Sequence, residues 1–287
     1  MTTHPLQTPS AQPQADPDAQ LVALAIDGDR AALDALVRRH QPFIYNVAWR
    51  MVHDPNEAKD LTQEVLIRVI TKLSRFEGKS AFRTWLYRIV VNEFLMMKRR
   101  PAEQQFGSFE EYGDQLDALP NPDLNAEEEL VLAEAALEMK TRCMAGMLMC
   151  LDREQRLTYI LGDVFGVDHK LGAELFEISP ANFRVRLHRA RKDLHNYMQR
   201  KCGLVDPANP CRCPKKAKAL VEMGHLDRDA KVFSADYQHK VREVVDARHD
   251  DLAEAIDRQI VELRRGQPFR TDVAVDETLA EVLDYFE

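Results

Sequence analysis

The feature that most constrains this chain runs from Asp152 to Leu194, where two short amphipathic segments lead through a tight turn into a longer, arginine-rich one. Asp152 is placed to cap a helix, with Gln155 at its third position. Leu157, Ile160, Leu161 and Val164 then recur at helical spacing until Gly166 stops it. A short helix over Asp168 to Phe176 comes next. After Glu177, Ile178 and Ser179, Ser179 caps and Pro180 opens a long helix with the packing stripe Phe183, Leu187, Ala190 and Leu194. Two helices joined by a tight turn, the second rich in Arg, form a helix-turn-helix, whose second helix suits a DNA major groove. Asn182, Arg184, Arg186, His188, Arg189 and Arg191 lie off the stripe, and Arg and Asn side chains bond guanine and adenine edges bidentately. A basic, solvated helix is the competing reading; the cap, the proline, the turn and the preceding helices together argue against it.

A second stretch, Phe76 to Pro101, is a short Gly-containing loop followed by a helix that ends in cations. Trp85, Leu86, Ile89, Val90, Phe94 and Met97 repeat at helical spacing and form one packing face. Tyr87, Arg88, Val91, Asn92, Lys98, Arg99 and Arg100 fall largely off that stripe. Aromatic faces stack on unpaired bases and cations attract phosphate, so a loop and helix of this kind suit single-stranded nucleic acid. An amphipathic helix with a solvated basic end fits the same pattern, because the helix dipole favours cations there.

Before that stretch lies a helix with a well-specified start: Asp54 as cap, Pro55 at the first position and Glu57 at the third. Ala58, Leu61, Val65, Val69 and Leu73 make its buried stripe. Asp60, Gln63, Glu64, Ile67 and Thr71 fall opposite. One aliphatic residue amid acids and amides is what a helix docking site needs, with charge for steering and an apolar centre for affinity. An ordinary solvated face is the alternative.

The run N-E-A-K-D-L-T-Q-E-V from Asn56 to Val65, followed by F-E-G-K-S-A-F-R-T-W-L-Y-R-I-V-V-N from Phe76 to Asn92, resembles domain 2 of bacterial sigma-70 family factors, and most of all the extracytoplasmic-function group. The block from Asp152 to Leu194 resembles domain 4 of the same group, in the same order. The resemblance implies a factor that binds core RNA polymerase and directs promoter recognition, promoter melting and transcription initiation. It implies that Asp60, Gln63 and Glu64, with Ile67 beside them, meet the clamp helices of a catalytic polymerase subunit. The family often has Glu where this chain has Lys59, a departure that bears on the salt dependence of docking. The loop from Phe76 to Ala81, with Lys79 and Ser80, would hold a flipped base of the -10 element. Trp85, Tyr87, Arg88 and Asn92 would touch the melted strand, with Lys98 and Arg99 beyond them. The Arg-rich helix would read the -35 element, although N-F-R-V-R here departs from the Thr-Val-Lys-Ser-Arg type run of many relatives. An anti-sigma factor is a further partner open to such a chain.

The net charge of -8 over 287 residues looks wrong for a DNA binder until it is mapped. Glu103 to Glu129 holds nine acids and no Lys or Arg, whereas Arg184 to Lys201 is strongly basic. Local patches set phosphate affinity, and the acidic sum discourages promiscuous binding. A hydrophobic fraction of 45% is that of a globular protein, and the longest apolar run, Met144 to Leu151, is far short of the roughly 20 residues of a membrane span. No signal peptide pattern opens the chain, so a cytoplasmic location is expected. No metalloprotease helix, phosphate loop or nucleophile elbow is present, and no enzymatic activity is expected.

The expected architecture is all-α. A proline-punctuated tail at 1–19 precedes a helical domain at 20–101. An acidic linker with little periodicity occupies 102–129, then a second helical domain 130–201, in which one helix runs from Ala126 to about Cys150. Residues 202–287 add a Cys-containing turn and a helical extension. Cys202, Cys211 and Cys213, with His195 or His225 near, match no standard zinc finger. Reduced thiols in a turn are the majority reading, with no cofactor, and zinc is the alternative. The alternative function is a polymerase-independent helix-turn-helix regulator, which would bind duplex DNA by itself, usually as a dimer on paired half-sites.

Overall fold

The computed structural model describes residues 16–98 and 107–226, and every described element of regular structure is helical. In chain order these are α1 (Ala19–Ile26), α2 (Arg30–Val52), α3 (Pro55–Lys72), a 3-10 turn (Leu73–Arg75) and α4 (Phe82–Met96). Next come α5 (Phe109–Ala118), α6 (Ala126–Val131), α7 (Ala133–Met149), α8 (Arg153–Tyr159) with a π-helical turn (Ile160–Val164), α9 (His169–Phe176), α10 (Pro180–Lys201) and α11 (Cys213–Glu222). The described residues fall into two compact units, 16–98 with 153–187, and 107–152 with 188–226. The expected helical extension beyond residue 226 and most of the N-terminal tail lie outside the described residues.

The first unit is built on α2, which packs against α1 and α3. Its start is fixed by Asp29, whose carboxylate accepts from the Ala31 and Ala32 amides at 2.9 and 3.1 Å. It ends at His53 in the left-handed region, φ 58°. Asp54 then caps α3 through the Asn56 and Glu57 amides at 2.9 and 2.8 Å, with Pro55 opening the helix as its sequence requires. The stripe Ala58, Leu61, Val65, Val69 and Leu73 is buried.

Two arginines at the start of the second segment tie it to this bundle by capping helix ends. Arg156 is buried and donates to the Met51 carbonyl at 2.7 Å, in the last turn of α2. Arg153 donates to the carbonyls of Leu95, at 3.4 Å, and Met97, at the end of α4. The last carbonyls of a helix have no partner within it, and a cation serves them in both charge and geometry. Helix α9 packs on α4 and leads through Glu177, φ 55°, into α10, whose Ser179 hydroxyl accepts from the Asn182 amide at 3.1 Å. Gly172 lets the two helices of this turn close: a Cβ there would stand 2.4 Å from the Phe183 ring.

In the second unit α7 packs against α11, and the segment expected as a linker with little periodicity contains α5. Ser108 and Glu111 form a reciprocal cap at its start. Tyr112 on α5 is buried, and its hydroxyl donates to the Cys143 carbonyl at 3.3 Å. The helix expected from Ala126 to Cys150 breaks at Leu132, and Leu130 is 79% exposed on α6. Two acids of this stretch pair with lysines of α11. Lys215 Nζ meets Asp123 at 2.7 Å, Lys218 Nζ meets Glu128 at 2.6 Å, and the buried Lys216 donates to the Leu119 carbonyl at 2.7 Å.

Candidate nucleic-acid and polymerase interface

The face of α3 opposite its buried stripe carries Asp60 and Glu64, both exposed, with Gln63 and Ile67 half-buried between them. Four side chains at positions i, i+3, i+4 and i+7 share one side of a helix, so their grouping comes from α-helical periodicity. They make a contiguous acidic patch with an aliphatic centre.

The loop after α3 takes its shape from Gly78, whose φ of 69° favours glycine. Lys79 is exposed and paired with Glu77, and Ser80 is half-buried, its hydroxyl donating to the Ala81 carbonyl at 3.3 Å. Beneath the loop, Phe76, Phe82 and Trp85 form an aromatic cluster, with Trp85 5.4 Å from Phe76 and 5.6 Å from Phe82. Trp85 is half-buried, so part of its ring is covered by the cluster and part is open. Asn92 and Lys98 on α4 are exposed; Arg99 lies outside the described residues.

Two of the expected contacts on α4 sit differently. Tyr87, expected off the packing stripe, is only 1% exposed. It stacks on Phe43 at 4.0 Å, and its hydroxyl lies 3.4 Å from His40 Nδ1. Burial also pushes its hydroxyl pKa well above the usual value, so it stays protonated at any ordinary pH. Val91, likewise expected off the stripe, is buried. Helix α4 packs against α2, α3, α8 and α9, so more than one of its faces is covered and a single-stripe reading undercounts its core. Arg88 is half-buried and points at α9, with Nη2 3.1 Å from Glu174 Oε1 and Nε 3.7 Å from Glu177 Oε1.

On α10, Asn182, Arg184, His188, Arg189 and Arg191 are exposed. Arg186 departs from the expectation that it stands free. Its Nη2 lies 2.7 Å from Glu154 Oε2, and its guanidinium sits 5.4 Å from the Phe176 ring centroid. One residue was missed: Val185, between the two arginines, is 49% exposed. An apolar side chain off the packing stripe of a recognition helix is the signal that would have found it, and a methyl group there suits the thymine methyl of a major groove.

Residues 16–18 of the expected tail are held in place. Asp18 is 1% exposed, with Oδ2 3.0 Å from His40 Nε2 and Oδ1 2.5 Å from Arg39 Nη1. Burial works to raise its pKa. The hydrogen bonds and charges of His40 and Arg39 outweigh that, so it lies below the usual carboxylate value.

Among the described residues no group of three or more His, Cys, Asp or Glu side chains is arranged to hold a metal ion. Cys202 and Cys211 meet as an isolated parallel bridge in a turn stapled by Arg212, which donates to the carbonyls of Pro207 at 2.6 Å, of Cys211 at 3.0 Å and of Asn209. All three thiols there are free, and burial pushes each of them up. No helix of the described residues is long and apolar enough to cross a membrane.

A family model described as Sigma-70 region 2 matches residues 36–103, and one described as Sigma-70, region 4 matches residues 141–194. The ECF RNA polymerase sigma factor SigE of Mycolicibacterium smegmatis is 32% identical over 176 residues, covering 60% of this chain and 64% of that relative, just under two thirds of its length. The RNA polymerase sigma-H factor of Pseudomonas aeruginosa and the ECF RNA polymerase sigma-E factor of Escherichia coli are each 30% identical, covering 63% of this chain and 94% of theirs. A solved structure of CnrH in complex with the cytosolic domain of CnrY matches with a TM-score of 0.45 and 23% identity, covering 63% of this chain and 97% of that one.

Proposed function

This chain belongs to the extracytoplasmic-function group of sigma-70 factors, and from that premise we propose how its surfaces share the work of starting transcription. As a member of the group it binds RNA polymerase and directs promoter-specific initiation; it is a regulatory protein, with no chemistry of its own. Asp60, Gln63, Glu64 and Ile67 on α3 dock on core polymerase. The loop at Glu77–Ala81 receives an unpaired base of the -10 element, with Lys79, Ser80, Asn92 and Lys98 serving strand and phosphates and Trp85 forming the wall. Taking a base out of the stack costs a few kcal/mol, which contacts in the loop must offset. Asn182, Arg184, Val185, His188, Arg189 and Arg191 read the -35 duplex.

The observation that carries this reading is the exposure, in one chain, of an acid-and-aliphatic helix face and two separate basic surfaces of different kinds. A free-standing regulator needs one duplex-reading surface; a polymerase-borne factor needs all three. Run-off transcription with purified core polymerase on a random-promoter library tests it, with the wild-type chain set against an Asp60→Ala, Glu64→Ala variant. Initiation that depends on the wild type, from templates sharing two spaced elements, is the expected result. Equal initiation by the variant would remove α3 from the docking role, and tight duplex binding without initiation would replace the reading.

A further inference from the structure

Helix α4 begins without a capping side chain of its own. The residue at its cap position is Ala81, with φ -57° and ψ 141°, and no side chain of the local sequence accepts from its first amides. A helix start leaves four amides unpartnered, and these stand where the loop at Glu77–Ala81 meets the helix. The missing acceptor comes from 66 residues away: Asp16 Oδ2 accepts from the Phe82 amide at 2.6 Å. Its other oxygen, Oδ1, accepts from the Asp18 amide at 3.0 Å, while the Asp16 carbonyl accepts from Ala19 at the start of α1. One residue therefore serves the beginnings of two helices.

That carboxylate is delivered by a clamp. Asp18 is buried against His40 and Arg39, and Arg39 also donates to the Pro17 carbonyl at 3.0 Å. Residues 16–18 are thus fastened to α2 on one side and to α4 on the other. His40 in turn approaches Tyr87, so the same cluster reaches the buried side of α4. The loop that α4 follows has a glycine hinge at Gly78 and, at its far end, this borrowed cap.

We propose that Asp16 is a positioning residue for reading the -10 element: by capping α4 in place of Ala81, it fixes the end of the Glu77–Ala81 loop in the geometry that receives the unpaired base. The proposal rests on the assignment of that loop to the melted strand. Without Asp16 the first turn of α4 frays, and the loop loses the fixed end on which its selectivity depends. A direct contact with DNA is not implied, since Asp16 acts through the helix start.

The exposed Ala81 supplies a test, because its extended backbone is compatible with a local cap. Four full-length chains are compared as holoenzymes with core polymerase: wild type, Asp16→Ala, Ala81→Asp, and Asp16→Ala with Ala81→Asp. The readouts are the initiation ratio between a cognate template and one with a substituted -10 element, the affinity for core polymerase, and the hydrogen exchange of the Phe82 amide in the free chain. Asp16→Ala is expected to lower the ratio about fivefold, the factor that a helix cap of ordinary strength corresponds to, and to speed Phe82 exchange. Core affinity should stay unchanged, and the double variant should recover the protection of Phe82; because Ala81 belongs to the base-receiving loop, the ratio of the double variant is read against that of Ala81→Asp alone and should equal it. A slow Phe82 amide that speeds up in Asp16→Ala with the ratio unmoved would leave the cap real and refute its role in reading. Parallel losses of ratio and core affinity, unrescued by Ala81→Asp, would reduce Asp16 to a stabilising residue. A wild-type chain indifferent to the -10 sequence would overturn the loop assignment and the proposal together, while fast exchange in the wild type would strike at the cap alone.

Discussion

Arg88, on the helix assigned to the melted strand, is held by Glu174 of the helix-turn-helix, guanidinium Nη2 to carboxylate Oε1 at 3.1 Å, with Glu177 3.7 Å from its Nε. Two acids thus hold the guanidinium that the sequence offered to the melted strand. All three side chains are partly exposed, and exposed ion pairs are worth about 0 to 1 kcal/mol. A pairing of that strength would yield to a DNA phosphate if Arg88 met one.

Replacing both acids, Glu174→Ala with Glu177→Ala, should raise the affinity of the free chain for a single-stranded oligonucleotide carrying the -10 sequence by up to about fivefold at low salt, with the gain fading as salt rises. Fluorescence anisotropy measures it. An affinity unchanged at every ionic strength would mean that Arg88 never meets the strand.

The two arginines of the recognition helix should separate. Arg184→Ala is expected to cost roughly 1 to 3 kcal/mol in discrimination between cognate and scrambled -35 duplexes while leaving stability alone. Arg186→Ala removes a 2.7 Å pair and a contact with Phe176, and should lower the urea midpoint by an amount equivalent to about 1 kcal/mol. Similar profiles for the two variants would contradict the division.

Asp18 makes stability sensitive to acid. Its carboxyl is held below the usual value, near 3.8, so its contribution is complete above that pH and is lost as pH falls through the lowered value. The urea midpoint of Asp18→Asn should thus lie below that of the wild type at pH 7 and converge with it below pH 3.8. A constant offset across that range would show that proton binding at Asp18 is not linked to folding.

The thiols of the 202–213 turn should alkylate slowly at neutral pH, Cys213 most slowly, because burial raises all three and the thiolate is the reacting form. Timed iodoacetamide labelling with mass spectrometry reads the order. Rapid labelling of Cys213 would put the turn in an open form.

The helix starts at Asp54 and Ser179 were legible because their caps are local and the needed residue types sit at fixed offsets, whereas the equally local Ser108–Glu111 cap of α5 was passed over in a stretch with little apolar periodicity. The exposed face of α3 was legible for the same reason, since one stripe is buried and the opposite one is not. Asp16 was hidden because its partner lies 66 residues away. Tyr87 and Val91 were misplaced because α4 is covered by four neighbours, which no single stripe reports. Arg186 looked free because Glu154 comes from a different helix. The acidic stretch read as a linker with little periodicity, yet two of its acids, Asp123 and Glu128, are matched by lysines some 90 residues on, at Lys215 and Lys218.

Those lysines make the acidic stretch part of the second unit's folded structure. The ten residues of α5 would span about 35 Å if extended and cover about 15 Å when wound. Loose string yields to any pull, whereas wound and fastened string must first be undone. Limited proteolysis should therefore spare the residues between α5 and α6 in the wild type, and replacing Lys215 and Lys218 should open them to early cutting.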